Sequence, residues 1–218
     1  MSNSDSFIEE VTEEVRRDRL FGLFRKYGWI GIAAVVAIVG GAAWNEWSKS
    51  RAESRAQAFG DAVIDALDMG TPEDRSAALT AIAADGEQAA LVKLILASDL
   101  NADRTATLAA LDAVAADASV RPVYRDLAVL RRVLLAGADL ALADRRSALQ
   151  EIAVPGRPYR VLAEEQLAYL LVEEGKTDEA IAAMTALMQD QGATGGVASR
   201  LSQMIIVLGG SLPQDSAG

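Results

Sequence analysis

The sequence predicts an all-α protein in which one N-terminal transmembrane helix precedes a solenoid of helical hairpins. Three observations support this fold class. The 218 residues are 51% hydrophobic but only 5% aromatic, and most of the apolar residues are Ala and Leu, which favour helix over strand. One stretch near the N-terminus, residues 27–45, carries no charge. The rest of the chain alternates between helix-forming segments and short breaks that contain Gly, Pro or Asp.

The uncharged stretch has the length and the ends of a membrane-spanning helix. In helical conformation its residues rise roughly 28 Å in total, close to the thickness of a hydrocarbon core. Aromatic residues stand at both ends, as the membrane interface favours. We therefore predict a transmembrane helix over residues 27–47. The chain stays helix-permissive after it up to about Asp68, which allows the helix to continue without a break. Its interfacial residues are Tyr27, Trp29, Trp44 and Trp47.

A cleaved signal peptide is the alternative to a permanent anchor, because residues 41–43 are small and suit a signal peptidase. The segment before the span contains acidic residues and resembles a short amphipathic helix, which favours an uncleaved anchor. Five Lys or Arg residues precede the span, and three follow it closely. The positive-inside rule then places residues 1–26 in the cytoplasm and the bulk of the chain outside it, in the periplasm of a bacterium.

Small residues form a stripe along the predicted span. Ala33, Ala37 and Gly41 follow one another at intervals of four, so they lie on one face of a helix. Such a face lets a second helix approach closely. The stripe is therefore a candidate helix-pairing face. The alternative is a span that pairs with nothing, because Ala and Gly are common in membrane helices.

Beyond the span, the sequence predicts helices over residues 48–209 and a frayed tail over residues 210–218. Thr71 has the residue type and position of an N-cap, with Pro72 in the first turn of the helix. Asn101 is the predicted cap of a later helix, which ends near Ala116. The clearest break is the Pro-Gly-Arg-Pro segment at residues 155–158.

The predicted helices recur with a regular period. First helices of successive hairpins are expected to start near Glu87, Pro122 and Pro158. Second helices are expected to start near Ala102, Asp139 and Asp178. A spacing of roughly 35 to 39 residues is within the range of helical-hairpin solenoids.

One predicted hairpin, residues 167–187, has the tetratricopeptide spacing of large and small residues around a turn glycine. Small side chains are expected where its two helices cross, and Gly175 is expected to turn the chain between them. Elsewhere the pattern weakens to a partial match at residues 127–128 and 136–137. The sequence therefore predicts a degenerate tetratricopeptide-like solenoid, with a generic α-helical bundle as the alternative. The predicted packing residues are Leu167, Ala168, Leu171, Gly175, Ala180, Met184 and Leu187.

Composition argues against catalysis and against several kinds of ligand. The sequence contains no Cys and no His, which removes thiol chemistry, the usual general base and the commonest transition-metal ligand. The pairs Glu164-Glu165 and Glu173-Glu174 could serve a carboxylate enzyme, but neighbours on a helix point about 100° apart. We interpret these pairs as solubilising and expect no enzyme activity, cofactor, metal or small-molecule substrate. The net charge of −10 disfavours nucleic acid as a partner.

Two arginine doublets are candidates for a partner-binding surface. They are predicted to lie on the two helices of one hairpin, where a solenoid presents exposed side chains to a partner. The alternative is a solvated face that binds nothing. The candidate residues are Arg131, Arg132, Arg145 and Arg146.

Two regions of the chain resemble a known family. The first is RRDRLFGLFRKYGWIGIAAVVAIVGGAAWNEW with its continuation SKSRAESRAQAFGDAVIDAL, and the second is PGRPYRVLAEEQLAYLLVEEGKTDEAIAAM. Both are similar to the ancillary SecYEG translocon subunit family of Gram-negative bacteria, particularly its alphaproteobacterial branch of tetratricopeptide repeat-like proteins. The resemblance implies a bitopic inner-membrane protein with a periplasmic repeat domain. It also implies association with the translocon and with periplasmic chaperones, and no catalysis.

Two functions remain open at this point. The first is a membrane-anchored scaffold that binds partner proteins near the translocon, either translocon subunits, a periplasmic chaperone or a client. The second is an accessory subunit or assembly factor of another inner-membrane complex, for example a respiratory one, in which the small-residue stripe of the span would be the docking element.

Overall fold

A computed structural model describes the backbone of residues 4–99 and 103–212, and the side chains of those ranges from Arg25 onward. All regular structure within these ranges is helical, which confirms the predicted all-α class. The proposed cap Asn101 lies outside the described residues, as do residues 213–218 of the predicted tail. The described chain divides into two units at Gly60.

The first unit consists of one helix. Helix α1, Ser4–Leu67, begins in this unit and continues into the start of the second. It covers the predicted transmembrane helix without interruption, because the segment contains no proline that would break the helix. Between Arg25 and Ala58 every side-chain position except Gly28 is exposed. A long exposed apolar surface of this kind is typical of a segment that contacts a membrane or another protein.

The second unit, from Asp61 onward, contains eight further helices in the described part of the chain. Helices α3 and α4, α5 and α6, and α7 and α8 form three successive hairpins, and α9 packs against α8. The bounds are α2 Pro72–Ala81, α3 Gly86–Leu96, α4 Arg104–Ala116, α5 Pro122–Ala136, α6 Leu142–Ile152, α7 Arg160–Glu173, α8 Thr177–Met188 and α9 Gly195–Val207.

Local side-chain chemistry explains where several helices begin. The backbone N–H of Asp74 donates to Thr71 Oγ1 at 3.1 Å, so Thr71 caps α2 as predicted. Helix α4 begins at Arg104, and its cap is Asp103 rather than Asn101, with the N–H of Ala106 donating to Asp103 Oδ1 at 2.6 Å. These caps satisfy N–H groups that a helix start leaves without backbone partners.

The start of α6 differs from the prediction. The sequence suggested that this helix begins near Asp139, but it begins at Leu142. The intervening residues Gly137–Asp139 form a short 3-10 turn, and Gly137 has a φ of +52°. With a ψ of −132° this is a conformation that only Gly adopts readily, and it ends α5 before the next helix can form.

Three apolar clusters connect the helices of the second unit, and small residues occupy the tightest positions in them. Ala128, Ala163 and Ala180 have an exposed fraction of 0%. Each belongs to a different cluster, so each of the three apolar clusters contains at least one buried alanine. A side chain without atoms beyond Cβ lets two helix backbones approach closely. The domain can therefore form a dense core with few aromatic residues.

Helix α8 offers a matched test of this packing. We expect Ala180→Leu to lower the free energy of unfolding by about 1–3 kcal/mol, because the added atoms have no space at a buried crossing. Ala182, two residues further along the same helix, is exposed, and Ala182→Leu should change the value by no more than about 0.5 kcal/mol. Urea unfolding of the full chain in detergent, followed by circular dichroism, measures both. Equal effects of the two substitutions would contradict the close-packed crossing.

Candidate functional site

The residues predicted to pack the best repeat unit lie around α7 and α8. Ala168, Ala180, Met184 and Leu187 are buried in one cluster, and Leu171 packs against it. Leu167 instead contacts the neighbouring cluster between α5, α6 and α7. Gly175 turns the chain between the two helices with a φ of +75°, a conformation that residues with a Cβ rarely adopt.

The residues predicted at the membrane interface are exposed on α1, with Trp29 and Trp44 about two-thirds exposed. The rings of Trp44 and Trp47 lie 5.2 Å apart, and the guanidinium of Arg51 lies 4.0 Å from the centre of the Trp47 ring. Aromatic rings beside a cation suit the boundary between lipid and water. Ala33, Ala37 and Gly41 are exposed as well.

One helix of the described residues, Arg25–Leu67, is long and apolar enough to cross a membrane. Its most apolar window is not buried against any other part of the structure. A core helix of a soluble domain would be mostly buried, so this interpretation is disfavoured. Length and composition by themselves fit both a membrane span and an N-terminal signal sequence.

The four arginines predicted as a partner surface all make contacts within the domain. Arg145 is the most buried, with 9% of its side chain exposed. Its guanidinium donates to both carboxylate oxygens of Glu173, at 2.7 and 2.5 Å, and to the backbone oxygen of Leu140. Arg131 donates to the backbone oxygen of Leu94, Arg132 pairs with Asp112 and Arg146 pairs with Glu174. Their charges are therefore directed at neighbouring helices.

A buried carboxylate joins the last two parts of the solenoid. Glu165 is 1% exposed, so its interpretation as a solubilising residue was wrong. Arg200 of α9 donates to its two carboxylate oxygens at 2.8 and 2.7 Å, and the Tyr169 hydroxyl donates at 2.9 Å. A buried charge is tolerated because these donors replace water. No local pattern indicates this contact, since Glu165 and Arg200 are far apart in the chain.

A second buried carboxylate lies between α5 and the break before α7. Asp126 is 1% exposed, and Arg157 donates to its Oδ1 at 2.5 Å. Burial raises the pKa of Asp126, while the charges of Arg157 and Arg125 oppose that rise. The Pro-Gly-Arg-Pro segment was predicted only as a break. Its arginine also fixes the position of the loop against the preceding hairpin.

An open groove lies along α7, between α6 and α8, with a cavity volume of about 400 Å³. Its apolar floor includes Leu167, Ala168, Leu171 and Leu187. Gln150 forms part of the α6 wall, and the α8 wall consists of small residues, Ala183 and Ala186. The volume lies in the range of ligand-binding clefts and accommodates a few apolar side chains of a partner.

Charged side chains line parts of the groove. Arg160 donates to Glu164 at 2.8 Å and to Asp190 at 2.7 Å, and all three residues line the groove. Arg146 of α6 also lines it and pairs with Glu174, which in turn pairs with Lys176 outside the groove. The hydrogen bond from Arg160 lowers the pKa of Asp190, and Lys176 followed by Arg146 lowers the pKa of Glu174. Both carboxylates are therefore ionised at neutral pH.

The lining of the groove suits the binding of apolar side chains. Among the described residues, no group of three or more metal-ligating side chains could hold an ion. The carboxylates that were considered for catalysis, Glu164, Glu165, Glu173 and Glu174, each pair with an arginine. A stack of helical hairpins with an apolar groove and internally paired charges defines a class of helical-repeat protein that binds other proteins.

Comparison with known families identifies the chain more closely. A model described as a tetratricopeptide repeat-like domain matches residues 24–206. The chain belongs to this family, and the tetratricopeptide-like prediction is confirmed. Comparisons with curated proteins and with solved structures give no match. The matched range includes the uncharged stretch as well as the hairpins, so the apolar helix is part of what the family shares.

The Tyr169–Glu165 contact predicts a pH dependence. Burial, reinforced by the hydrogen bond to Glu165, raises the pKa of Tyr169 to about 12. An unfolded tyrosine releases its proton near pH 10, so the unfolded state binds fewer protons than the folded state above that pH. The stabilising contribution of Tyr169 should be complete below pH 10 and should disappear as pH rises towards 12.

We expect thermal melts of the wild type to lose more stability than those of Tyr169→Phe across this window. The difference should be on the order of 1 kcal/mol, because Phe has no proton to release. Comparing each chain with itself at pH 9 removes the constant effect of the lost hydroxyl. Parallel curves for the two chains would show that Tyr169 does not titrate with a raised pKa.

Proposed function

We propose that this protein is a membrane-anchored, non-catalytic scaffold whose periplasmic repeat domain binds partner proteins near the Sec translocon and periplasmic chaperones. The observation that carries the proposal is the family match, which covers the apolar helix and the hairpins together. Proteins with tetratricopeptide-like domains generally mediate protein–protein interactions. The resemblance of the N-terminal region to ancillary translocon subunits supports the more specific location.

The anchor gives such a scaffold a physical advantage. A helix that keeps the binding domain at the membrane surface raises its effective concentration beside membrane partners, so modest affinity is sufficient. The helix Arg25–Leu67 has the length for this role, and the aromatic residues at both ends of the predicted span 27–47 favour a fixed depth in the bilayer. A cleaved leader would release the domain and remove this advantage. The proposal therefore requires the helix to remain in the mature protein.

The absence of cysteine from the sequence allows a direct test of the proposed topology. Single cysteines introduced by Ser2→Cys and Ala113→Cys report the two sides of the membrane, and Ala113 is exposed on α4. A membrane-impermeant maleimide should label Ala113→Cys in cells whose outer membrane alone is permeable, and Ser2→Cys only after lysis. The unmodified chain is the blank. The reverse pattern would overturn the periplasmic assignment.

A tagged full chain, purified from native membranes in mild detergent, tests the proposed partners. Translocon subunits should co-purify, and they should be lost from a variant that retains residues 1–60 but lacks the repeat domain. If the truncated chain still retains them, the anchor rather than the scaffold carries the association. Stoichiometric recovery of respiratory subunits would instead support the alternative function. Recovery of neither set would overturn both.

A further inference from the structure

One side of helix α1 carries both tryptophan and arginine side chains where the uncharged stretch ends. The guanidinium of Arg51 lies 4.0 Å from the centre of the Trp47 ring, and the rings of Trp44 and Trp47 are 5.2 Å apart. Arg55 is exposed one turn beyond Arg51. Successive residues of an α-helix are rotated by about 100°, so the four side chains lie within an arc of roughly 80°. We call the strip formed by Trp44, Trp47, Arg51 and Arg55 the Trp–Arg face.

The other side of the same turns carries a different charge. Glu46, Lys49 and Glu53 lie within an arc of roughly 60°, almost opposite the Trp–Arg face. Lys49 Nζ lies 3.9 Å from Glu53 Oε1, so its charge is balanced locally. Arg51 and Arg55 form no ion pair within the part of the chain whose side chains the structure describes. The helix therefore has two unbalanced positive charges on one side and a net negative charge on the other.

The position of the Trp–Arg face along the helix matches the phosphate layer of a bilayer. Headgroups add roughly 5 to 7 Å to each side of the hydrocarbon core, and one helical turn rises about 5.4 Å. Trp47 ends the predicted span, so Arg51 follows it one turn later, at the level of the phosphates. Helical side chains lean towards the N-terminus, as Arg51 does over Trp47. The same lean directs Arg55 back towards the membrane.

Stacking on a tryptophan ring leaves Arg51 able to bind an anion. The ring contacts the flat face of the guanidinium, whereas the N–H donors of the guanidinium point outward in its plane. The unesterified oxygens of a phosphodiester match a pair of such donors. The rings of Trp44 and Trp47 are exposed and offer an apolar surface to the glycerol and the upper acyl chain. A phospholipid therefore presents the chemistry that both halves of the face require.

We propose that the Trp–Arg face binds an anionic phospholipid, with the lipid phosphate between Arg51 and Arg55 and the upper acyl chain against Trp44 and Trp47. A zwitterionic headgroup carries an ammonium group beside its phosphate, which the two arginines repel, whereas an anionic headgroup carries no cation. The acidic opposite side of the helix lacks this affinity, so the lipid is held on one side of the anchor. The inference rests on the membrane anchor of the proposed function and adds a lipid ligand to it.

Quenching of tryptophan fluorescence by brominated lipids tests the inference with the full chain in bilayers. The sequence contains three tryptophans, so Trp29→Phe leaves only the two of the Trp–Arg face. Two bilayers contain the same equimolar mixture of phosphatidylglycerol and phosphatidylcholine. Bromine is attached to the acyl chains of the anionic lipid in one bilayer and of the zwitterionic lipid in the other. The two quenching levels give the relative association constant, and we expect a preference of about fivefold for phosphatidylglycerol.

Charge variants of the Trp29→Phe chain connect the preference to the Trp–Arg face. Arg51→Gln should lower the preference about twofold, and Arg51→Gln combined with Arg55→Gln should remove it, because Gln has no charge. Lys49→Gln is the matched control, since it removes one positive charge from the same turns on the opposite side of the helix, and it should leave the preference unchanged. Circular dichroism melts establish that each variant is folded.

The outcomes separate this inference from the function on which it rests. Equal quenching by the two brominated lipids, or equal losses of preference in Arg51→Gln and Lys49→Gln, would overturn the lipid site and leave the anchor in place. An absence of quenching by either lipid would show that the tryptophans lie outside the bilayer and would overturn the anchor together with the site. Failure of translocon subunits to co-purify, with the lipid preference intact, would overturn only the proposed partners.

Discussion

The close approach of helices at buried alanines is the constraint on which the rest of the repeat domain depends. Ala128, Ala163 and Ala180 are inaccessible to solvent, and each lies in a different apolar cluster. Helices in close contact bring charged side chains of one hairpin within reach of the next. The result is a domain with a thin apolar core, in which ion pairs and capped helix ends contribute to how successive hairpins stack.

Arginine is suited to these connections for a physical reason. Its planar guanidinium bonds to two acceptors at once, and it holds the buried Glu165 through Arg200 and the half-exposed Glu173 through the buried Arg145. Arg104 shows a second use, donating to the backbone oxygens of Leu135 and Ala136 at the end of α5. These carbonyls lack partners within their own helix. The same kind of contact, from Arg160 to Glu164 and Asp190, lines part of the groove along α7.

The prediction succeeded where local signals are strong. Thr71 capped its helix as expected, α5 began at Pro122, and Gly175 formed the turn of the best repeat. The predicted start of α6 was less accurate, because the residues after a helix break can form a short turn before the next helix begins. The 3-10 turn Gly137–Asp139 is such a case. It assigned Glu165 to the surface because a carboxylate pair on a helix normally solubilises it, and the distant Arg200 that neutralises Glu165 lies on another helix.

The sequence by itself determined the helical class, the apolar helix and the repeat period, because composition, charge gaps and Gly or Pro breaks act over a few neighbouring residues. Only the tertiary structure decided which charged side chains form ion pairs within the domain. Arg145 and Arg146 could have faced a partner, but their carboxylate acceptors, Glu173 and Glu174, lie on the next hairpin. The groove is formed by residues of three helices at once. Contacts between residues far apart in sequence depend on how helices stack, which no local pattern encodes.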